Sequence, residues 1–259
     1  MSTSWRTSWK PDWRPNTSRK RRCIVMHNLI IDGKSLKDFG IYVSGENSYN
    51  APAWAVETEP VPGRHGELLQ LMDRMEPISV SYPAFIRTMF SAYSAQARLY
   101  LLGRPGWRRI EDDYHPDSFR RGYFAGPLDF DTRFLNLSAE LELVFTCQPQ
   151  RWLKSGETPV GVTSGQALTN DWMPAKPPIQ LTGTGAGELR VGSSTITITE
   201  MDGGLTIDCD VQNAYNGTEN KNRTIKVSGG FPVLVAGETT ITYSGGVTAV
   251  QVTPRWWTV

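Results

Sequence analysis

Alternation of apolar and polar residues dominates this chain, and it predicts strands from one end to the other. Leu29, Ile30 and Ile31 lead into the turn Asp32-Gly33-Lys34. Phe39, Ile41 and Val43 then alternate with Gly40, Tyr42 and Ser44. Trp54, Val56 and Thr58 on one side, and Leu68 to Met72 on the other, flank the turn Val61-Pro62-Gly63-Arg64-His65-Gly66-Glu67-Leu68. Proline presets φ at one turn position and glycine admits positive φ at the next, so this reads as a long hairpin with a stiff tip. A strand follows over Glu76–Ala84. The pattern then changes period. Ile86, Met89, Phe90, Tyr93, Ala97, Tyr100 and Leu101 recur at three and four residues, which predicts one helix over Ile86–Leu102, stopped by Gly103. Paired strands are expected over Trp107–Asp112 and Ser118–Gly126, and another over Ser138–Thr146.

The composition shifts near residue 154. Residues 154–170 are rich in Gly, Ser and Thr and read as a linker. Beyond them, short Thr/Val/Ile runs recur every eight to twelve residues: Ile179–Thr182, Gly187–Val191, Thr195–Glu200, Leu205–Cys209, Thr224–Val227, Val233–Val235, Thr239–Tyr243 and Ala249–Thr253. That spacing is the signature of a β-sandwich. The expected organisation is a mainly β chain of two sandwich-type domains. The first spans residues 26–153 with one helix and long hairpins; the second spans residues 171–259.

Charge changes the picture at one place only. The formal net charge is +1. Residues 1–25 carry seven bases against one acid, which leaves the remainder with 20 bases and 25 acids. A mildly acidic body argues against a nucleic-acid surface. Trp5, Trp9 and Trp13 repeat every four residues in that basic stretch, but Pro11 and Pro15 break any helix there. It reads as a disordered leader or an upstream-start extension, with ordered patterning from Met26. No stretch of 18 apolar residues spans a membrane. Three cysteines (Cys23, Cys147, Cys209) without a CxxC spacing suggest free thiols in a reducing compartment.

Candidate chemistry is sparse. There is no Gly-x-Ser-x-Gly elbow and no Walker loop. The histidines (His27, His65, His115) all fall in expected turns or termini of the first half. Asp112-Asp113-Tyr114-His115-Pro116-Asp117 has the look of a solvated turn more than of a metal site. Asp202, Asp208 and Asp210 around Gly203-Gly204 do not follow EF-hand spacing. Gly183-x-Gly185-x-Gly187 lacks the glycine spacing and following helix of a phosphate cradle, and reads as a hairpin turn. The chain is therefore read as a non-enzyme with no cofactor and no metal.

From about Asn28 to its end, the chain resembles the distal tail protein (Dit) family of long non-contractile-tailed bacteriophages. The resemblance rests on "IIDGKSLKDFGIYVSG" (Ile30–Gly45), "VPGRHGEL" (Val61–Leu68), "EDDYHPD" with "RRGYFAGPLD" (Glu111–Asp129), and "LVFTCQPQRWLKSGE" (Leu143–Glu157). It extends through "LTIDCDVQNAYNGTENKN" (Leu205–Asn222) and "GGVTAVQVTPRWW" (Gly245–Trp257). It implies a ring, usually a homo-hexamer, at the tail tip of the virion. The first domain would form the ring and dock on the tail tube protein and the tail-associated hub or lysin protein. The second, galectin-like jelly roll, would point outward and carry receptor-binding or other tip proteins. The alternative reading, from the Trp-bearing sandwich of the second half, is a carbohydrate-binding module that meets a host glycan in cell-surface recognition. Arg64, His65 and Glu67 at the hairpin tip become candidate subunit contacts, and Arg151 and Trp152 candidate hinge or interface groups. Trp172, Trp256 and Trp257 are candidate sugar-stacking rings, although the second half lacks the histidine that galectin-type binding uses.

Overall fold

A computed structural model describes residues 27–44 and 50–259. The expectations for residues 1–25, and most of the polar loop before Pro52, lie outside the described residues.

The first half contains β1 (Leu29–Ile31), β2 (Lys34–Ser35), β3 (Ile41–Val43), β4 (Trp54–Pro60), β5 (Glu67–Met75) and β6 (Ile78–Ile86). The helix α1 (Phe90–Leu102) follows, then β7 (Arg108–Asp112), β8 (Ser118–Tyr123), β9 (Asp131–Arg133) and β10 (Ser138–Leu153). Antiparallel pairing gives the order β2-β1-β7-β8-β10-β6-β3. His27, just before β1, bridges Val43 of β3, so the two ends of the sheet come together and it curls towards a barrel. The inward residues of β6 and β10 alternate strictly, with Ile78, Val80, Tyr82, Ala84 and Ile86 facing the same core as Leu141, Leu143, Phe145 and Cys147. α1 caps this core through Ala97 and Leu101. Tyr100 stacks on Phe39 at 4.6 Å and donates its hydroxyl to the Ile31 carbonyl. Gly40 has a φ of 68° beneath the Tyr93 ring, where a Cβ would meet ring carbon at 2.6 Å. Only glycine fits there.

The helix begins later than its periodicity suggested. Ile86 belongs to β6, where alternation and two neighbouring strands claim it, and Met89 stands exposed before the first turn. Pairing on both edges outweighs the helical spacing.

The second half contains β11 (Val160–Val162), β12 (Gln166–Asn170), β13 (Pro178–Val191), β14 (Ser194–Ile198), β15 (Asp202–Asp208), β16 (Asn213–Asn216), β17 (Glu219–Asn220), β18 (Ile225–Ser228), β19 (Gly237–Val252) and β20 (Trp257–Thr258). β13 and β19 form one long ribbon that feeds two layers. The first part of β13 pairs β15, and the last part of β19 pairs β11. The last part of β13 pairs β14, and the first part of β19 pairs β12. The ribbon switches layers at register shifts between Thr182 and Gly187, opposite Gly245-Gly246. Sandwich corners are commonly made this way, by bulged strands that bend from one sheet to the next. Both layers close on a single core of Ile179, Leu181, Leu189, Ile196, Ile207 and Ile241, among others.

Two expectations change here. Gly183, Gly185 and Gly187 are not a hairpin turn but the bend inside β13. A Cβ on Gly183 would sit 2.0 Å from the Gly246 carbonyl oxygen, so glycine serves close backbone approach. Residues 154–170 are not a free linker either. They form a 3-10 turn at Lys154–Glu157 and the strands β11 and β12, both paired with β19. Their Thr and Val content fits a half-buried strand as well as a linker, and the neighbour decides.

The end of the chain returns to the first sheet. β20 pairs β10, with Trp257 opposite Trp152 and Thr258 opposite Arg151. The Arg255 amide donates to Gly156, and the Leu153 amide to Trp256. Arg255 also clamps Asp208 with two guanidinium contacts of 3.0 and 2.9 Å. Burial pushes the Asp208 carboxyl up, but that ion pair and the Asp210 and Val211 amides outweigh it and hold its pKa below the ordinary value.

Candidate functional site

The β4–β5 hairpin stands apart from both large sheets. Its turn forms as its residues dictate. The Arg64 amide donates to the Val61 carbonyl across Pro62 and Gly63, and Gly63 has a φ of 79°. Those are the features of a type II turn. A strand of seven residues such as β4 spans about 24 Å at the usual rise, so the tip is carried well away from the core. Every residue from Val56 to Leu71 is exposed.

Register sorts the hairpin into two faces. Val56 lies opposite Leu71, and Thr58 opposite Leu69, on one face. Glu57 opposite Gln70, and Glu59 opposite Leu68, make the other. The first face is apolar and uncovered, with Leu69 60% and Leu71 58% exposed. A lone two-stranded hairpin is marginal in water, and an apolar strand face of this length marks an interaction surface. Near the base, Ala55 is buried, and the Glu76 amide donates to Ala53.

Arg64, His65 and Glu67 sit at the tip, exposed, with no side-chain hydrogen bond or ion pair among the described residues. They are close to one another along one turn. Arg151 and Trp152 lie far away on β10. Arg151 faces Arg120 directly across the ladder, an unfavourable like-charge pairing. Arg120 is buried, and burial first, then the Arg151 charge, lowers its pKa from the guanidinium value. Trp152 is half-buried, and its indole nitrogen has no acceptor among the described residues. The three candidate stacking rings do not share a surface. Trp257 lines the cleft between the sheets, Trp256 packs against the second core, and Trp172 is exposed outside that cleft.

Further uncovered apolar residues escaped the sequence reading. Met89, Leu99 and Leu102 are exposed around α1. Phe134 and Leu135, 81% and 98% exposed, form the β9–β10 turn, where Phe134, Leu135 and Asn136 all adopt positive φ. Three successive non-glycine residues in that region are costly. The Phe90 amide donates to Leu137, which links turn and helix. The signal was present as Phe134-Leu135-x-Leu137, but a turn composed of apolar residues resembles strand more than loop.

Among the described residues no group of His, Cys, Asp or Glu is arranged to hold a metal ion, and no helix is long and apolar enough to cross a membrane. Burial pushes the Cys147 and Cys209 thiols up to about 11 and about 12.

A curled first sheet with one helix, an outlying hairpin and a second, layered sandwich define the class of fold. No protein-family model matches the chain, and no curated protein is detectably similar in sequence. Solved structures match clearly. The Dit protein (gp 19.1) of phage SPP1, described as a paradigm of the hub adsorption apparatus in phages infecting Gram-positive bacteria, aligns with a TM-score of 0.67. Identity is 14%, over 87% of this chain and 98% of that one. Two structures of the phage P2 baseplate in its activated conformation, one with Ca and one with Sr, align at 0.51 and 7% identity, over 87% of this chain and 97% of theirs. The fold is that of a phage distal tail protein.

Proposed function

We propose that this chain is a structural protein of a phage tail tip that assembles into a closed, six-membered ring. The observation that carries the reading is the β4–β5 hairpin: an apolar face projected beyond the core on a fold shared with Dit. The exposed apolar residues of α1 and of the Phe134–Leu135 turn lie outside that hairpin and supply different apolar surface on the same chain. Two unlike surfaces on one chain suit head-to-tail contacts, which generate rings when the rotation closes. In this reading Val56, Leu69 and Leu71 of one copy pack on the neighbour, and Arg64, His65 and Glu67 add polar contacts at the rim. The tail tube and a hub or lysin protein stack on the two ring faces. The second sandwich points outward, available to receptor-binding protein. Assembly of this kind proceeds without covalent catalysis, and the virion tail is its location.

Native mass spectrometry and electron-microscopic class averages test this directly. The expected result is a six-fold ring of the intact protein, lost on the double change Leu69→Asp and Leu71→Asp while the monomer keeps its melting temperature. A monomer at micromolar concentration that binds no tube or hub protein would sink the proposal.

A further inference from the structure

We infer that the cleft between the two sheets is a binding site for an uncharged polysaccharide. The inference is independent of ring assembly. It begins with the register. Phe119 on β8, Trp152 on β10 and Trp257 on β20 lie directly opposite one another. Adjacent strands are about 4.8 Å apart, so the three rings form a row about 10 Å across on one face of the first sheet. Phe119 is buried beneath the Arg109 guanidinium, which leaves the half-buried Trp152 and Trp257 as the rings that line the cleft. Two concavities, of about 590 and 390 Å³, run along this row and share Trp152 and Asp210. Trp54, at the hairpin base and 53% exposed, extends the aromatic surface at one end.

The rim decides the ligand class. Asp73, Glu157, Asp208 and Asp210 are balanced by Arg74, Arg121, Lys176 and Arg255, with Gln148 and Gln150 in the same lining. No excess of positive charge awaits a phosphate or another polyanion. What remains is a set of donors and acceptors in nearly equal number beside aromatic faces. A sugar ring matches both, since it has an apolar C–H face to lie on an indole and hydroxyls that both donate and accept. The floor is also held in place. The Met173 amide donates to Trp257, the Trp257 indole donates to the Pro174 carbonyl at 3.0 Å, and the Arg255–Asp208 pair lies alongside. A preformed site loses less entropy on binding.

The test is an array of bacterial cell-wall and capsular polysaccharides probed with the full chain, with affinities for the bound glycans measured by tryptophan fluorescence. Trp54→Ala and Gln150→Ala change surface residues and should each weaken binding about tenfold, while Trp172→Ala should leave it unchanged. Native mass recorded on the same samples separates this site from the ring: a variant that assembles but no longer binds sugar isolates the cleft. A folded protein that binds no glycan on the array overturns the inference. So does binding untouched by both cleft variants, or hydrogen exchange showing the cleft sealed by a neighbouring copy in the ring.

Discussion

The β4–β5 hairpin and the β13–β19 ribbon are built from the same local pattern and meet opposite fates. Both are long antiparallel pairs with apolar residues at every second position. In the ribbon, Ile179, Leu189, Ile241 and Val252 are wholly buried because a second layer of the same chain faces them. In the hairpin, Val56, Leu69 and Leu71 are exposed because none of the described residues covers them. Alternation states that a face wants covering. It does not say whether the cover is intramolecular or a partner.

That contrast breaks most sharply under truncation. Leu189→Ala should cost about 2–5 kcal/mol by thermal or urea unfolding, the range for a fully buried leucine. Leu69→Ala should shift the monomer by no more than about 0.5 kcal/mol, as at an exposed site, yet weaken assembly. Equal losses in both would mean the hairpin is packed within its own chain. The ribbon's bend gives the next largest effect. A Cβ on Gly246 would meet the Thr184 carbonyl oxygen at 1.9 Å, so Gly246→Ala forces the backbone apart and should cost about 1–3 kcal/mol.

The Asp208–Arg255 pair joins the sandwich to the returning tail, and its contribution depends on pH. A carboxyl whose folded pKa is depressed stabilises fully above its unfolded value of about 3.9 and loses that contribution as pH falls through the folded value. Arg255→Ala should therefore destabilise the chain by about 1.5–3 kcal/mol at neutral pH and by little at pH 2. An unchanged difference between wild type and variant across that range would show the carboxylate is not the partner that matters. The smallest effect belongs to the tip. Arg64→Glu should leave monomer stability within about 0.5 kcal/mol and reduce ring yield where the tip meets an acidic neighbour. A ring formed in normal yield removes Arg64 from the interface.

Much of the architecture could be read in advance, and for local reasons. Pro62-Gly63 specified a turn type that any surroundings would accept, and Leu141, Leu143 and Phe145 specified an inward face by period alone. The helix was found, but its start was displaced because Ile86 satisfied both a helical and an alternating pattern. Glycines misled most. Gly183–Gly187 and Gly245-Gly246 looked like the ends of short strands, whereas they bend two long ones. At the candidate site, Arg64, His65 and Glu67 could be singled out because they fall within four residues at one turn. The cleft was not, because Trp54, Phe119, Trp152 and Trp257 are scattered along the chain.

The amino-acid sequence alone determined the β-rich class, the hairpin with its stiff tip and the absence of recognisable catalytic motifs, since these follow from neighbours within a few residues. Tertiary structure alone decided which apolar faces stay uncovered, how the ribbon folds over itself, and that Trp257 comes to rest beside Trp152. Those outcomes depend on which distant segments pair, and strand pairing is selected by the packing of whole sheets, not by any local preference.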